Sequence, residues 1–357
     1  MTQVPDILRP SFRRYTLLVL MVCMFCHISP LGAQQLPLIR ISVENTTSHV
    51  QTRAVQRFAD KLAEQLSGKY EVQFYPAATL FRDADLFRAL AQGKVEIGVP
   101  GTWQFDRYVP EVGLFLLPSL YGRDASVAYG LMESEVGRQI ISAIELGVDV
   151  KVLGRWIDLG HTHIFSTEGA ISRRSDFADK RIRVAGGIGN TLRIAAMGAL
   201  PSTVPWPDFP AALKRDQVDG VLTSYETIAS ARLWEYGIDT VYEDRQYFAQ
   251  YVPIAASQFW DRIPQDVQQV IINTWDELVD AARRDAAVAQ VQSRATLIRN
   301  GASITLVNEQ HRALTRQQLV MQEKEIVAQM GISDNLYTVF QQFIHQVESP
   351  IEGNGLE

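Results

Sequence analysis

The chain reads as an α/β protein of two lobes with one long helix spanning both, and three observations predict it. Short strands alternate with amphipathic helices along most of its length. No Gly/Ser-rich or Pro-rich tether divides the halves, so the crossings between them are expected to be structured. The segment Pro264–Asn300 contains no internal Gly or Pro, and at ~1.5 Å per residue it reaches ~55 Å, more than the width of one small domain.

At the N-terminus, Arg9, Arg13 and Arg14 precede the apolar run Tyr15–Cys26, and Ser29–Ala33 offers a cleavage point. Residues 1–33 are therefore expected to be a secretory signal peptide, with Leu31 larger than the small residue usual before the cut. The run falls short of the ~20 apolar residues needed to cross a bilayer. Both cysteines, Cys23 and Cys26, lie within it, so their C-x-x-C spacing reads as coincidence and the exported, periplasmic chain is expected to lack disulfides. What remains must be held by a core, and with 46% hydrophobic residues in the chain it is large enough for one or two domains. Three arginines and one aspartate leave with the peptide, so 34 basic and 40 acidic residues become 31 and 39, a net charge of −8. That balance, without a basic stripe, argues against nucleic acid as a partner.

The elements follow in order. Ile39, Ile41 and Val43 alternate with Arg40 and Ser42 as a half-buried strand does. Ser48 and Gln51 have capping-box spacing, and Ala54, Val55, Phe58, Leu62 and Leu66 recur at helical spacing until Gly68. A strand at Tyr70, Val72 and Phe74, a helix over Asp83–Gln92 stopped by Gly93, and a strand at Val95–Val99 complete a βαβαβ run whose first two strands should be parallel. Further strands are predicted at Val152–Trp156, Arg181–Val184, Ser202–Val204 and Val218–Leu222, with helices at Thr191–Met197 and Phe209–Arg215. The long helix starts with Pro264 at its first position and presents Val267, Val270, Ile271, Trp275 and Leu278 on one face; its heptads lapse after two repeats, against a coiled coil. Lobe one is expected to comprise residues 34–158 plus 249–288, and lobe two residues 159–248 plus 289–357 with the C-terminal helices.

Catalytic signatures are missing: there is no H-E-x-x-H, G-x-S-x-G or P-loop pattern. The run Gly186-Gly187-Ile188-Gly189 has Leu192 where a dinucleotide fingerprint needs its third glycine, and reads instead as a helix N-terminus whose free N–H groups favour an anion. Asp158, His161 and His163 suggest a metal, but such residues also commonly line a cleft rim, so neither a metal nor a cofactor is expected. His49, His311 and His345 are isolated and have no assigned role. Strand alternation puts Arg181 and Arg183 on one face and Ile182 and Val184 on the other. An arginine there presents a planar fork that matches a carboxylate, although a solvated strand end explains the same pattern.

Four segments carry a family resemblance: Phe74-Tyr75-Pro76 with Leu80, Leu117-Pro118-Ser119-Leu120, Lys180–Val184, and Val218-Asp219-Gly220. Taken in order, they resemble the DctP-type solute-binding proteins of tripartite ATP-independent periplasmic (TRAP) transporters over nearly the whole chain after residue 33. The resemblance implies a periplasmic-binding-protein-like fold, a small organic acid as ligand, and docking on a small and a large membrane subunit of an ion-driven transporter; a monomer is expected, although the long helix and the segment Gln317–Met330 could support a dimer. By position it makes Arg183 the carboxylate receptor, Trp206 the aromatic residue over the ligand, and Thr223 a polar contact with Ser224 and Tyr225 as neighbours. Glu44 and Gln104 join the candidate ligand-binding set. Many members carry an arginine about twenty residues before Arg183, where this chain has His163, a titratable group. Charged groups that sialic-acid-binding members place near Gly101 and Gln104 are missing, which disfavours sialic acid. A sensory binding module and an envelope enzyme acting on a small organic acid are the alternatives left open.

Overall fold

The computed structural model describes residues 36–167, 171 and 173–349, so the expected signal peptide lies outside the described residues. None of the described helices is long and apolar enough to cross a membrane.

One sheet takes four strands from the first half of the chain and one from much later. Strand β1 (Leu38–Ser42) runs parallel to β2 (Glu71–Tyr75) and β3 (Ile97–Gly98), and β12 (Ile254–Ala256) joins β3 antiparallel to β4 (Val150–Val152). The helix Val50–Gln65 packs its Ala54, Val55, Phe58 and Leu62 face into the same core as Ile39 and Ile41. Its cap is His49 rather than Ser48: the His49 ring accepts the Gln51 N–H at 3.1 Å, while the Ser48 hydroxyl donates to Ser230 O at 3.0 Å. The expected strand Val152–Trp156 is broken, because Gly154 at φ +149° turns the chain between β4 and β5 (Ile157–His161).

The second sheet has six strands in the order β13 (Ser303–Leu306), β10 (Thr240–Glu243), β6 (His163–Ser166), β9 (Gly220–Thr223), β7 (Arg181–Val184) and β8 (Leu200–Thr203). Strand β7 runs parallel to both neighbours, with Arg183 in register with Ser202 and Val221. Between the sheets, β5 pairs antiparallel with β11 (Phe248–Tyr251) in a two-stranded ribbon bulged at Ala249/Gln250. The chain passes through this ribbon on both strand crossings, from β4 to β6 and from β10 to β12.

The third crossing is the helix Gln265–Arg299, ~52 Å long at 1.5 Å per residue. Pro264 is its cap residue rather than its first turn. It packs along the helix Val50–Gln65, the ribbon strand β5 and the helix Tyr225–Ser230. Its buried face reads Val267, Ile271, Trp275 and Val279, then Ala282, Ala286 and Ala289, the small residues letting β5 approach closely. Trp275 is fully buried, edge-on to Phe58 at 5.3 Å, and donates its indole N–H to Arg155 O at 2.8 Å. Of the C-terminal helices, Glu309–Val320 packs on the turn at Pro118–Leu120, Glu323–Met330 on the helix Ile188–Ala196, and Asp334–Glu348 on the segments Glu135–Gly147 and Pro110–Leu116.

Trp275→Ala is expected to cost about 3–5 kcal/mol, the usual penalty for emptying a buried aromatic site, read as a lower urea midpoint with an unchanged slope.

Candidate ligand-binding site

A crevice lies where the two sheets face each other. Glu44, Asn45, Asp83 and Trp103 come from the first side; Arg183, Asn190, Trp206 and Thr223 come from the second; Leu159, Tyr247 and Tyr251 form the ribbon wall. It encloses about 40 Å³, room for roughly three waters at 10–15 Å³ each, so only a compact solute fits this arrangement. The lobes are drawn together at its mouth by Arg82, whose guanidinium donates to both Asp208 oxygens at 2.8 and 3.3 Å. They also meet where Glu226 accepts the Val50 N–H at 2.9 Å and pairs with His49 at 2.9 Å.

Arg183 is the cation of this crevice and is only 2% exposed. Its Nε donates to Val204 O at 2.8 Å, and its guanidinium carbon lies 5.5 Å from the Trp206 ring and 5.4 Å from Phe209, a cation–π setting. The turn from Val204 to Phe209 thus wraps around it. Its Nη2 is buried and has no hydrogen-bond partner among the described residues. Burial pushes the guanidinium down to about 10, opposed by the nearby Glu44, Tyr247 and Asp83, so it stays charged at neutral pH. A buried donor left unmet costs about 1–3 kcal/mol, so the site favours any ligand that brings an acceptor.

Two acidic groups flank it. Asp83 opens the helix Asp83–Ala91; its N–H donates to Glu44 Oε1 at 3.1 Å and its carboxyl accepts from Gln104 Nε2 at 3.5 Å. Burial, then the neighbouring Glu44, pushes the Asp83 carboxyl well above its ordinary value. Glu44 is raised by burial too, but the Asp83 N–H and the Arg183 charge hold it down. Both carboxyls thus lie above their ordinary values, and Asp83 is pushed the further of the two. Asn190 adds an acceptor: its Oδ1 is buried without a partner, while its Nδ2 donates to Tyr247 at 3.4 Å.

Of the eight candidates, Arg183, Trp206, Thr223 and Glu44 line this crevice. Gln104 stands behind it, donating to Asp83 and to Ala185 O at 3.3 Å. Ser224 is turned inward, its hydroxyl accepting the Thr227 N–H at 3.2 Å as the cap of the following helix. Tyr225 faces another cavity and donates to Glu243 at 2.6 Å. His163 does not line this crevice. Strand β9 stands between its strand β6 and Arg183 on β7, its Nδ1 accepts the Arg245 N–H at 3.0 Å, and its ring packs on Tyr225. Burial pushes its pKa well below the usual histidine range, so it is neutral. Asp83, Asn190 and Tyr247 were not singled out by the sequence; an acid opening a helix reads as a cap, and nothing local shows that it turns inward.

The glycine run before the helix Ile188–Ala196 is not open to a ligand anion. Asp106 already accepts the Ile188 and Gly189 N–H groups at 3.1 and 2.7 Å. Gly187, at φ +83°, is required there because a Cβ would sit 2.4 Å from Trp103 O. Among the described residues no three His, Cys, Asp or Glu side chains converge as a metal site needs. Asp158 is held by Tyr129 and Gln250, and His161 donates to Arg123 O at 2.9 Å.

Two sheets, the ribbon strands joining them, a crossing helix and an interlobe crevice define a periplasmic-binding-protein architecture, and likeness to solved structures agrees. The TRAP periplasmic solute-binding protein of Sulfurospirillum deleyianum, solved with bound succinate, superposes with a TM-score of 0.77 at 20% identity, covering 86% of this chain and 99% of that one. The sugar acid binding protein of Advenella mimigardefordensis, in complex with galactonate, gives 0.80 at 18% identity, covering 87% and 99%. The sequence profile of the bacterial extracellular solute-binding proteins, family 7 (DctP), matches residues 41–329, and the chain belongs to this family. The C4-dicarboxylate-binding periplasmic protein DctP of Shewanella loihica is 24% identical over 263 residues, 72% of this chain and 75% of that protein. The 2,3-diketo-L-gulonate-binding periplasmic protein YiaO of Escherichia coli is 23% identical over 262 residues, 73% and 78% of the two chains.

The buried acid has a pH signature. Because Asp83 is raised above its unfolded value near 3.8, the folded chain holds a proton that the unfolded chain releases, and stability falls as pH rises from there towards the folded pKa. Asp83→Asn removes this slope: the variant is expected to gain on the wild type as pH rises above the ordinary carboxylate range, measured by urea unfolding at successive pH values.

Proposed function

We propose that the chain is a periplasmic receptor that binds a small organic acid between its lobes and delivers it, as a monomer and without chemical turnover, to the membrane subunits of a TRAP transporter. The observation that carries this reading is the buried Arg183 Nη2 without a partner, facing a crevice that a carboxylate oxygen would complete. Trp206 shields the pair from water, which strengthens it. We place the hinge at the β5–β11 ribbon, with the Arg82–Asp208 and Glu226–Val50 contacts as the closures that a bound solute favours. The closed pair of lobes is then the surface offered to the membrane subunits.

The solute itself carries a hydrogen-bond donor beside its carboxylate. The crevice presents the Glu44 carboxyl and the bare Asn190 Oδ1 to the bound molecule, and both offer acceptor oxygens. A plain carboxylate meets Arg183 but leaves the Asn190 Oδ1 unmet; a hydroxyl or ammonium group satisfies it. Small hydroxy acids and amino acids meet both requirements.

A thermal-shift screen of carboxylic acids on wild type and Arg183→Ala tests the first point. The expected result is stabilisation of the wild type by at least one acid and a loss of affinity of roughly 30-fold or more in the variant, the lower end for truncating one partner of a buried charge pair. Equal stabilisation of both proteins would remove Arg183 from the site. For the second point, calorimetric titration with the pairs lactate and propionate, malate and succinate is expected to favour the hydroxylated member by about tenfold, the worth of one good hydrogen bond. Equal affinities within each pair contradict the donor requirement and leave the arginine untouched.

A further inference from the structure

A second cavity, of about 390 Å³, lies on the other side of the hinge ribbon. It is walled by the ribbon through Asp158, Gly160, His161 and Phe248, and by the long helix from Arg283 to Arg294. Its size falls within the 300–1,000 Å³ usual for small-molecule sites. None of Arg183, Trp206 or Glu44 reaches it.

Its lining is apolar with an excess of donors. Tyr129 and Phe248 meet edge-on at 5.7 Å, and Ala286, Ala287 and Val291 line the helix side. The two carboxylates present are already engaged, Asp158 by Tyr129 and Gln250, Glu243 by Tyr225 and Arg294 at 2.6 and 2.7 Å. Facing them are three arginines, each with guanidinium N–H groups beyond those that Arg245 gives to Asp124, Arg283 to the Trp156 carbonyl and Arg294 to Glu243. His163 adds a donor: because its Nδ1 accepts the Arg245 N–H, the ring proton sits on Nε2, which has no hydrogen-bond partner among the described residues. Its ring is only 5% exposed. Acceptors are used up and donors are left, so a guest with an acceptor group is favoured.

The two cavities share walls. On β5, Leu159 lines the solute crevice while its neighbours Asp158 and Gly160 line the second cavity, as strand alternation requires. Thr162 and His163 divide in the same way, as do Thr227 and Tyr225. A guest wedged between ribbon and helix therefore touches all three crossings about which the lobes turn.

We propose that this second cavity is a binding site for a compact apolar molecule bearing one anionic group, and that its occupancy acts on the lobe hinge. The site does not rest on the acid-receptor reading of the crevice. The probe 8-anilinonaphthalene-1-sulfonate has this chemistry and fluoresces when bound in a dry cavity. Titrated into the full chain, it should bind one-to-one to wild type and to Arg183→Ala alike. Ala287→Trp, at an exposed helix position on the cavity wall, should weaken binding at least tenfold, with Val291→Trp as the second filling variant should the first fail to fold. No saturable binding to wild type, or undiminished binding to a folded filling variant, overturns the site. For the hinge, hydrogen exchange at the distant crevice mouth around Arg82 and Asp208 should change when the probe is bound; identical exchange there overturns the coupling.

Discussion

A charged guanidinium sealed inside the protein with one of its nitrogens unmatched is the constraint from which the rest of the site follows. Taking such a group out of water costs several kcal/mol, and the structure offsets that with the Val204 carbonyl, the faces of Trp206 and Phe209, and the field of Glu44. These partners fix the direction of the fork without saturating it. The position depends on the strand order, since β7 between β8 and β9 delivers Arg183 to the crevice and the turn after β8 closes over it. A receptor needs this incompleteness: a fully paired arginine holds the fold and binds nothing.

Two other anion-seeking groups near the crevice are largely occupied. Asp106 caps the glycine-rich helix start, and the buried Arg193 gives both its Nη groups to the Leu116, Leu117 and Gln246 carbonyls, with its Nε left unmatched. Near Arg183 the acids are arranged differently: burial raises both Asp83 and Glu44, Asp83 the further, which favours their neutral forms beside the guanidinium. Selection then rests on the placement of single donors and acceptors.

What could be read from the sequence was whatever depended on local pattern. The long helix shows itself by an uninterrupted run without Gly or Pro, and the parity of β7 separates Arg183 from Ile182 whatever surrounds them. Tertiary context overrode other local signals. Ser48 has the spacing of a helix cap but is drawn to Ser230 O in the other lobe, leaving His49 to cap. Val152–Trp156 looks like one strand until Gly154 turns it. Counting twenty residues back from Arg183 reaches His163 along the chain, but in the sheet β9 intervenes and the histidine lines the second cavity, on the far side of the β5–β11 ribbon. The burial of Arg183 is itself invisible in sequence, because the Trp206 and Phe209 rings that cover it lie more than twenty residues downstream.

A crystal structure of the protein with an acid that stabilises it tests the central claim most directly. The account predicts a carboxylate oxygen within hydrogen-bond distance of Arg183 Nη2, with the Nε bond to Val204 kept and the Trp206 ring over the pair. An acid bound elsewhere, with Nη2 turned to water or to Glu44, contradicts it.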